Sequence, residues 1–235
     1  MALAPGETHE SFIREVDENL RRDQAENFVK RYGSWLIGGV ILFVAAVGGY
    51  LYWQEHRRQQ AAAQSEQLLA VLDDVSSGRT GKPVQDKLQA IVGGGHAQYA
   101  GLARLTGAAL AQDGGDRARA LASYKALAAD DGQPQSIRDA ALIHQTALEY
   151  DSLKPEDVIA RLQPFTEAGN PWFGTAGEMT GAALLKANRR AEAGRLFARV
   201  ANDNNVPGGI RSRAQQLASS LGVDSATVTA PTAGQ

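Results

Sequence analysis

The chain contains no cysteine among its 235 residues. That removes a disulfide framework, a thiolate nucleophile and any Cys-ligated metal. It also has little net charge: 24 Lys and Arg stand against 26 Asp and Glu, for a formal net charge of −2. A field that weak recruits neither nucleic acid nor an anionic surface, so no nucleic-acid partner is expected. Aromatic residues make up only 6% of the chain. Ala and Leu supply most of the apolar content, and no stretch alternates with period two, so helices and no sheet are predicted.

Catalytic signatures are missing as well. His9, His56, His96 and His144 are isolated in sequence and lack metal-ligand spacing. The "GGGH" at 93–96 follows no strand and precedes no Lys-Ser/Thr pair, so it reads as a loop between helices. No G-x-S-x-G, H-E-x-x-H or paired-carboxylate pattern occurs. "NPWFG" at 170–174 reads as core packing at a helix start. No enzyme, cofactor, metal or small-molecule substrate is therefore predicted.

What the chain does have is one long apolar run. From Trp35 to Trp53 there are 19 residues without a charge. As a helix this run would span about 28 Å, close to the hydrocarbon thickness of a bilayer. Trp35 at one end and Tyr50, Tyr52 and Trp53 at the other sit where interfacial aromatic belts form. The run starts too deep in the chain for a secretory leader, and "QEHRR" follows it in place of a small-residue cleavage site. A retained transmembrane helix over 35–53 is predicted.

Arg21, Arg22, Lys30 and Arg31 precede the run, whereas only Arg57 and Arg58 follow it closely. The positive-inside rule then puts residues 1–34 in the cytoplasm and the bulk of the chain on the other side. Ser34, Gly38, Ala45 and Gly49 share one face of the span, where small residues let a second membrane helix approach closely. Ahead of the span, Phe12, Ile13, Val16 and Leu20 recur at helical spacing, which predicts an amphipathic helix in the N-terminal tail. Residues 1–9 and 223–235 are small and polar and are expected to be disordered.

Residues 54–222 alternate helical patterns with Gly, Asn, Asp and Pro breakers. The tetrapeptide "GAAL" occurs at 107–110 and again at 181–184, 74 residues apart. Gly107, Leu110, Ala120 and Tyr124 follow one another in the first copy, and Gly181, Leu184, Ala193 and Phe197 in the second. A weaker helix–turn–helix unit, "IRDAALIHQTALEYDSLKPEDVIARLQPF", lies between them. Small residues at Gly107/Gly181 and Ala120/Ala193 are expected at helix crossings, with Leu110/Leu184 and Tyr124/Phe197 as the buried bulk. That order matches the tetratricopeptide (TPR) signature, with Gly115 and Asn188 at the turn; Ala103 and Gly177 stand where the signature has Trp. The predicted fold is all-α: one transmembrane helix, then a TPR-like right-handed solenoid of helix pairs.

The layout as a whole resembles a known family. A charged helix containing "REVDENLRRDQ", a span opening with "KRYGSWLIGG" and closing with "YLYWQEHRR", and a final "PGGIRSRAQQL" helix resemble the YfgM-type membrane-anchored TPR proteins, in their alphaproteobacterial branch. The resemblance covers about residues 11–222. It implies a single-pass type II protein of the bacterial inner membrane with its TPR-like domain in the periplasm. It further implies association with subunits of the SecYEG translocon, and with periplasmic chaperones or exported clients. A different use of the same repeats is scaffolding of cell-envelope assembly, in division or polysaccharide export.

Overall fold

The computed structural model describes residues 7–223, with side chains at Trp35 and from Ile37 onward. Expectations for residues 1–6 and 224–235, for the amphipathic tail face, and for the side chains of Ser34, Arg21, Arg22, Lys30 and Arg31 lie outside the described residues. Among the described residues the chain is all-helical: nine α-helices, one single-turn 3-10 segment and no strand.

The first helix, α1 (Glu7–Ser76), is 70 residues long. The chain divides into two compact units, Met1–Ala63 and Gln64–Gln235. Between Trp35 and Trp53 α1 carries no charge, and its large side chains are exposed: Trp35 at 81%, Leu42 at 72% and Phe43 at 68%. A helix this apolar with nothing packed on it is long enough to cross a membrane.

The second unit starts with the end of α1. It continues through α2 (Lys82–Gly93), α3 (Ala97–Asp113), α4 (Arg117–Ala128), α5 (Gln135–Glu149) and α6 (Pro155–Leu162). After the 3-10 turn Gln163–Phe165 come α7 (Phe173–Lys186), α8 (Arg190–Asn202) and α9 (Gly208–Ser220). Pro83 and Pro155 stand in the first turns of α2 and α6, where a missing N–H costs nothing. Gly78, Gly115, Asn188 and Gly222 are left-handed residues just past the ends of helices. At each, the next N–H reaches back to a carbonyl five residues earlier, as in Asp116 N to Ala111 O (2.8 Å) and Arg189 N to Leu184 O (2.8 Å). These are Schellman closures. Asn188, with φ 61°, is the one non-glycine among the described residues that adopts this conformation.

The core is a chain of four clusters in which alternate helices are shared. Leu68 and Val71 of α1 pack with Val84, Leu88 and Ile91 of α2 and with Ala103 of α3. Ala108 of α3 then packs with Ala120, Tyr124 and Leu127 of α4 and with Ile137 of α5. Ile143 of α5 joins Val158 and Leu162 of α6 and Ala183 of α7. Finally, Phe173 and Leu184 of α7 join Phe197 of α8 and Ala214 of α9. Each helix pair touches only its neighbours, which is how a solenoid is stabilised.

The packing shows an internal repeat of 73 residues, not 74. Ala120 and Ala193, Tyr124 and Phe197, and Pro134 and Pro207 are each 73 apart. The turns agree in detail. Asp130 Oδ1 accepts Gly132 N (3.0 Å), and Asp203 Oδ1 accepts Asn205 N (2.8 Å). Arg138 donates to Asp131, and Arg211 donates to Asn204. The close crossings follow the same spacing. A Cβ on Gly101 would meet Gln133 Oε1 at 2.4 Å and Ile137 Cγ2 at 2.9 Å; one on Gly174 would meet Val206 Cγ1 at 2.8 Å.

This register corrects the role read for Gly107. Gly181 does lie at a crossing, where an added Cβ would meet Phe197 Cζ at 2.4 Å. Its counterpart 73 residues earlier is Ala108, which is 2% exposed. Gly107 is half-buried, and a Cβ there would meet only Leu88 Cδ1, at 3.8 Å. A shift of one residue turns a helix by about 100°, so the first "GAAL" presents a different face from the second.

Two substitutions separate the registers. Gly181→Ala should destabilise by about 1–3 kcal/mol, because Phe197 is buried and its ring has little room to give. Gly107→Ala should be neutral or stabilise by up to about 1 kcal/mol through helix propensity. Thermal unfolding of the full chain in detergent micelles, followed by helical circular dichroism, measures both; equal losses would restore the 74-residue register.

Candidate functional site

Among the described residues, the candidate functional surfaces are the exposed helix and the repeats. On α1, Gly38, Ala45 and Gly49 are exposed, and a Cβ on either glycine would have no heavy atom within 4 Å. The face they share is therefore bare in the isolated chain. Near the end of the apolar run Arg57 lies over the Trp53 ring at 4.2 Å from its centroid, and Tyr52 and His56 stack at 6.4 Å. Both pairs put a polar tip beside an apolar body, as interfacial residues do.

Within the repeats, Ala120 and Ala193 are both 0% exposed, and Tyr124 and Phe197 both 1%. Leu184 is buried, whereas Leu110 is half-buried beside the first cluster. The crossing glycines Gly101, Gly174 and Gly177 fall outside the tetrapeptide reading. A Cβ on Gly177 would meet Val200 Cγ2 at 2.5 Å. Gly177 stands where the TPR signature carries Trp, so what looks like a departure is a close helix contact. The signal that finds this register is the 73-residue separation shared by Asp130/Asp203, Pro134/Pro207 and Ile137/Ile210.

One charged group ties three helices. Glu149, at the end of α5, accepts from Lys125 of α4 (2.5 Å) and from Arg161 of α6 (2.8 Å). Gln145 donates to the same carboxylate at 2.9 Å, and Arg117 donates to the neighbouring Leu148 carbonyl. Desolvation alone would raise the Glu149 pKa. The hydrogen bonds from Lys125, Gln145 and Arg161 outweigh it and hold the group at about 2. Beside this hub, His144 of α5 stacks on Tyr124 (5.1 Å, 12°) and meets the Trp172 ring edge-on at 6.5 Å. Partial desolvation holds the His144 pKa below the ordinary imidazole value. Among the described residues no three potential metal ligands converge.

The Glu149 hub makes stability pH-dependent with a definite sign. Its folded pKa lies below the unfolded value of about 4.3, so its contribution is complete above about pH 5 and is lost as pH falls toward about 2. Glu149→Gln should cost about 1–2 kcal/mol at neutral pH, and the gap from the parent chain should close through that window. Melts of both chains at several pH values test this; a gap that does not change with pH would assign the loss to packing.

The comparisons with known proteins agree with this architecture. The tetratricopeptide repeat-like domain family matches residues 26–215. No curated protein and no solved structure matches the chain. The match covers most of the chain, and the packing behind it is the nearest-neighbour sharing of helix pairs described above. On that extent of agreement, the chain belongs to the tetratricopeptide repeat-like domain family.

Proposed function

We propose that the chain is a non-enzymatic, membrane-anchored scaffold that associates with the Sec translocon and helps periplasmic chaperones handle exported proteins. The observation that carries this reading is the extent of the family match. It begins at residue 26 and so includes the whole uncharged run of 35–53 along with the helix pairs. TPR-like repeats present protein-binding surfaces, and the apolar helix supplies a location. The basic residues before the run, Arg21, Arg22, Lys30 and Arg31, favour a cytoplasmic N-terminus and a periplasmic repeat domain in the inner membrane. The bare face of Gly38, Ala45 and Gly49 suits close contact with a translocon helix. The Sec and chaperone assignments rest on the likeness of the layout to YfgM-type proteins.

Affinity purification of the full chain from membranes in mild detergent should recover Sec subunits. Gly38→Leu with Gly49→Leu should reduce that recovery without preventing membrane insertion. Recovery of division or polysaccharide-export proteins in their place would make the chain an envelope-assembly scaffold. A reporter active only outside the cytoplasm, fused after Leu221, should be active; activity of a cytoplasmic reporter instead would invert the topology.

A further inference from the structure

The second unit contains a groove of about 740 Å³. Its floor is α3, with Ala103, Gly107, Leu110 and Ala111. Its walls are α2, through Leu88 and Val92, and α4, through Ser123 and Leu127. Arg104 and Asp130 pair across the edge at 2.9 Å. Arg119 and Asp113 also line it, both exposed, and neither side chain has an ion-pair partner among the described residues.

The later repeat shows why the groove is open. Its matching face of α7, 73 residues on, consists of Ala176, Thr180, Ala183 and Leu184, and all four are buried. Leu184 there corresponds to Ala111. Leu196, 7% exposed on α8, corresponds to Ser123. Arg199, which donates to the Thr166 carbonyl at 3.0 Å and lies 5.3 Å from the Phe173 ring centroid, corresponds to Ala126. Val84 and Leu88 of α2 match Val158 and Leu162 of α6 at a separation of 74. In that frame Gln85 replaces Ile159, which packs against both adjoining clusters. Four side chains that close the later cleft are thus truncated or made polar in the earlier one. The surface they leave is apolar at the bottom and charged only at its edge.

We propose that this groove receives the leucine-rich face of an amphipathic helix from a partner polypeptide, with an acidic residue of that helix opposite Arg119 and a basic one opposite Asp113. A helix is the form that fits. Floor and walls are helices whose backbone groups are already hydrogen-bonded, so an extended peptide would bury unpaired N–H and C=O groups there. A helix satisfies its own backbone and offers only side chains. Leucines from the partner would then supply what Leu184, Leu196 and Ile159 supply within the later repeat. The proposal rests on the scaffold reading, but it concerns the face formed by α2 and α4 and names the chemistry of the occupant.

The test uses the full chain in lipid nanodiscs and a fluorescent amphipathic peptide of about 15 residues. The peptide carries Leu along one face and Glu and Lys on the other; a scrambled peptide of the same composition is the control. The parent chain should bind the first peptide saturably and the scrambled one much more weakly. Ala111→Leu with Ser123→Leu should restore the filling of the later repeat. It should weaken binding about tenfold or more while leaving the unfolding temperature unchanged or raised. Arg119→Glu, which leaves the groove open, should weaken binding of the Glu-bearing peptide and be rescued by a peptide carrying Lys in place of those Glu residues. Equal binding by parent and filled chains, equal binding of the scrambled peptide, or indifference to Arg119→Glu would overturn the proposal. So would a dimer of the parent chain that the filled variant dissociates, since the occupant would then be a second copy. Peptide binding that persists when no Sec subunit is recovered would overturn the translocon assignment and leave this inference standing.

Discussion

Two helices can approach only as far as the bulkiest group between them allows, and this solenoid depends on that limit being met repeatedly. Each of α3, α5 and α7 contributes to two successive clusters, so each must be narrow on two faces. In α3 and α7, Gly101, Gly174, Gly177 and Gly181 provide narrow places, and a Cβ on each would come within 3.0 Å of a neighbouring side chain. Large rings fill the space that closeness creates: Tyr124 and Phe197, both 1% exposed, take corresponding positions against their glycine- or alanine-faced partners. The low aromatic content is therefore sufficient. Few large groups are needed when the helices stand close, because Ala and Gly bring backbone itself into contact.

Charge plays a smaller and more local part. Most ion pairs here are exposed and worth little. Glu149 differs because it is largely shielded and joins α4, α5 and α6 through Lys125 and Arg161. It ties the first complete helix pair to the middle one, where the sequence repeat is weakest. The middle unit has neither the paired turn chemistry nor the crossing glycines of its neighbours, and a hydrogen-bonded carboxylate holds helices that small residues alone would leave less closely joined.

The two copies of the repeat also show how one scaffold acquires two kinds of surface. In the later copy, Leu184, Leu196, Ile159 and Arg199 close the space between α6 and α8. In the earlier copy, small or polar residues stand at the equivalent places and leave it open. The turn at Asp130/Asp203 and the crossing at Gly101/Gly174 are shared by both. Both copies keep the helix-pair arrangement while the surface between the helices changes.

Much of this was legible in the sequence. The uncharged run from Trp35 to Trp53 reads as an exposed apolar helix because a continuous period without charge needs no tertiary context. The helix pairs, the absence of strands, and the turns at Gly115 and Asn188 follow from local propensity and breakers in the same way. What the sequence left undetermined was rotation about the helix axes. An identical "GAAL" sits at a crossing in α7, whereas in α3 its glycine lines the groove, because one residue of register is about 100° of rotation and only the neighbouring helices decide which face is buried. Composition and spacing thus determined which segments are helices and which of them is apolar throughout. The packing of α2, α3 and α4 against one another decided where a small residue closes a contact and where it leaves an opening.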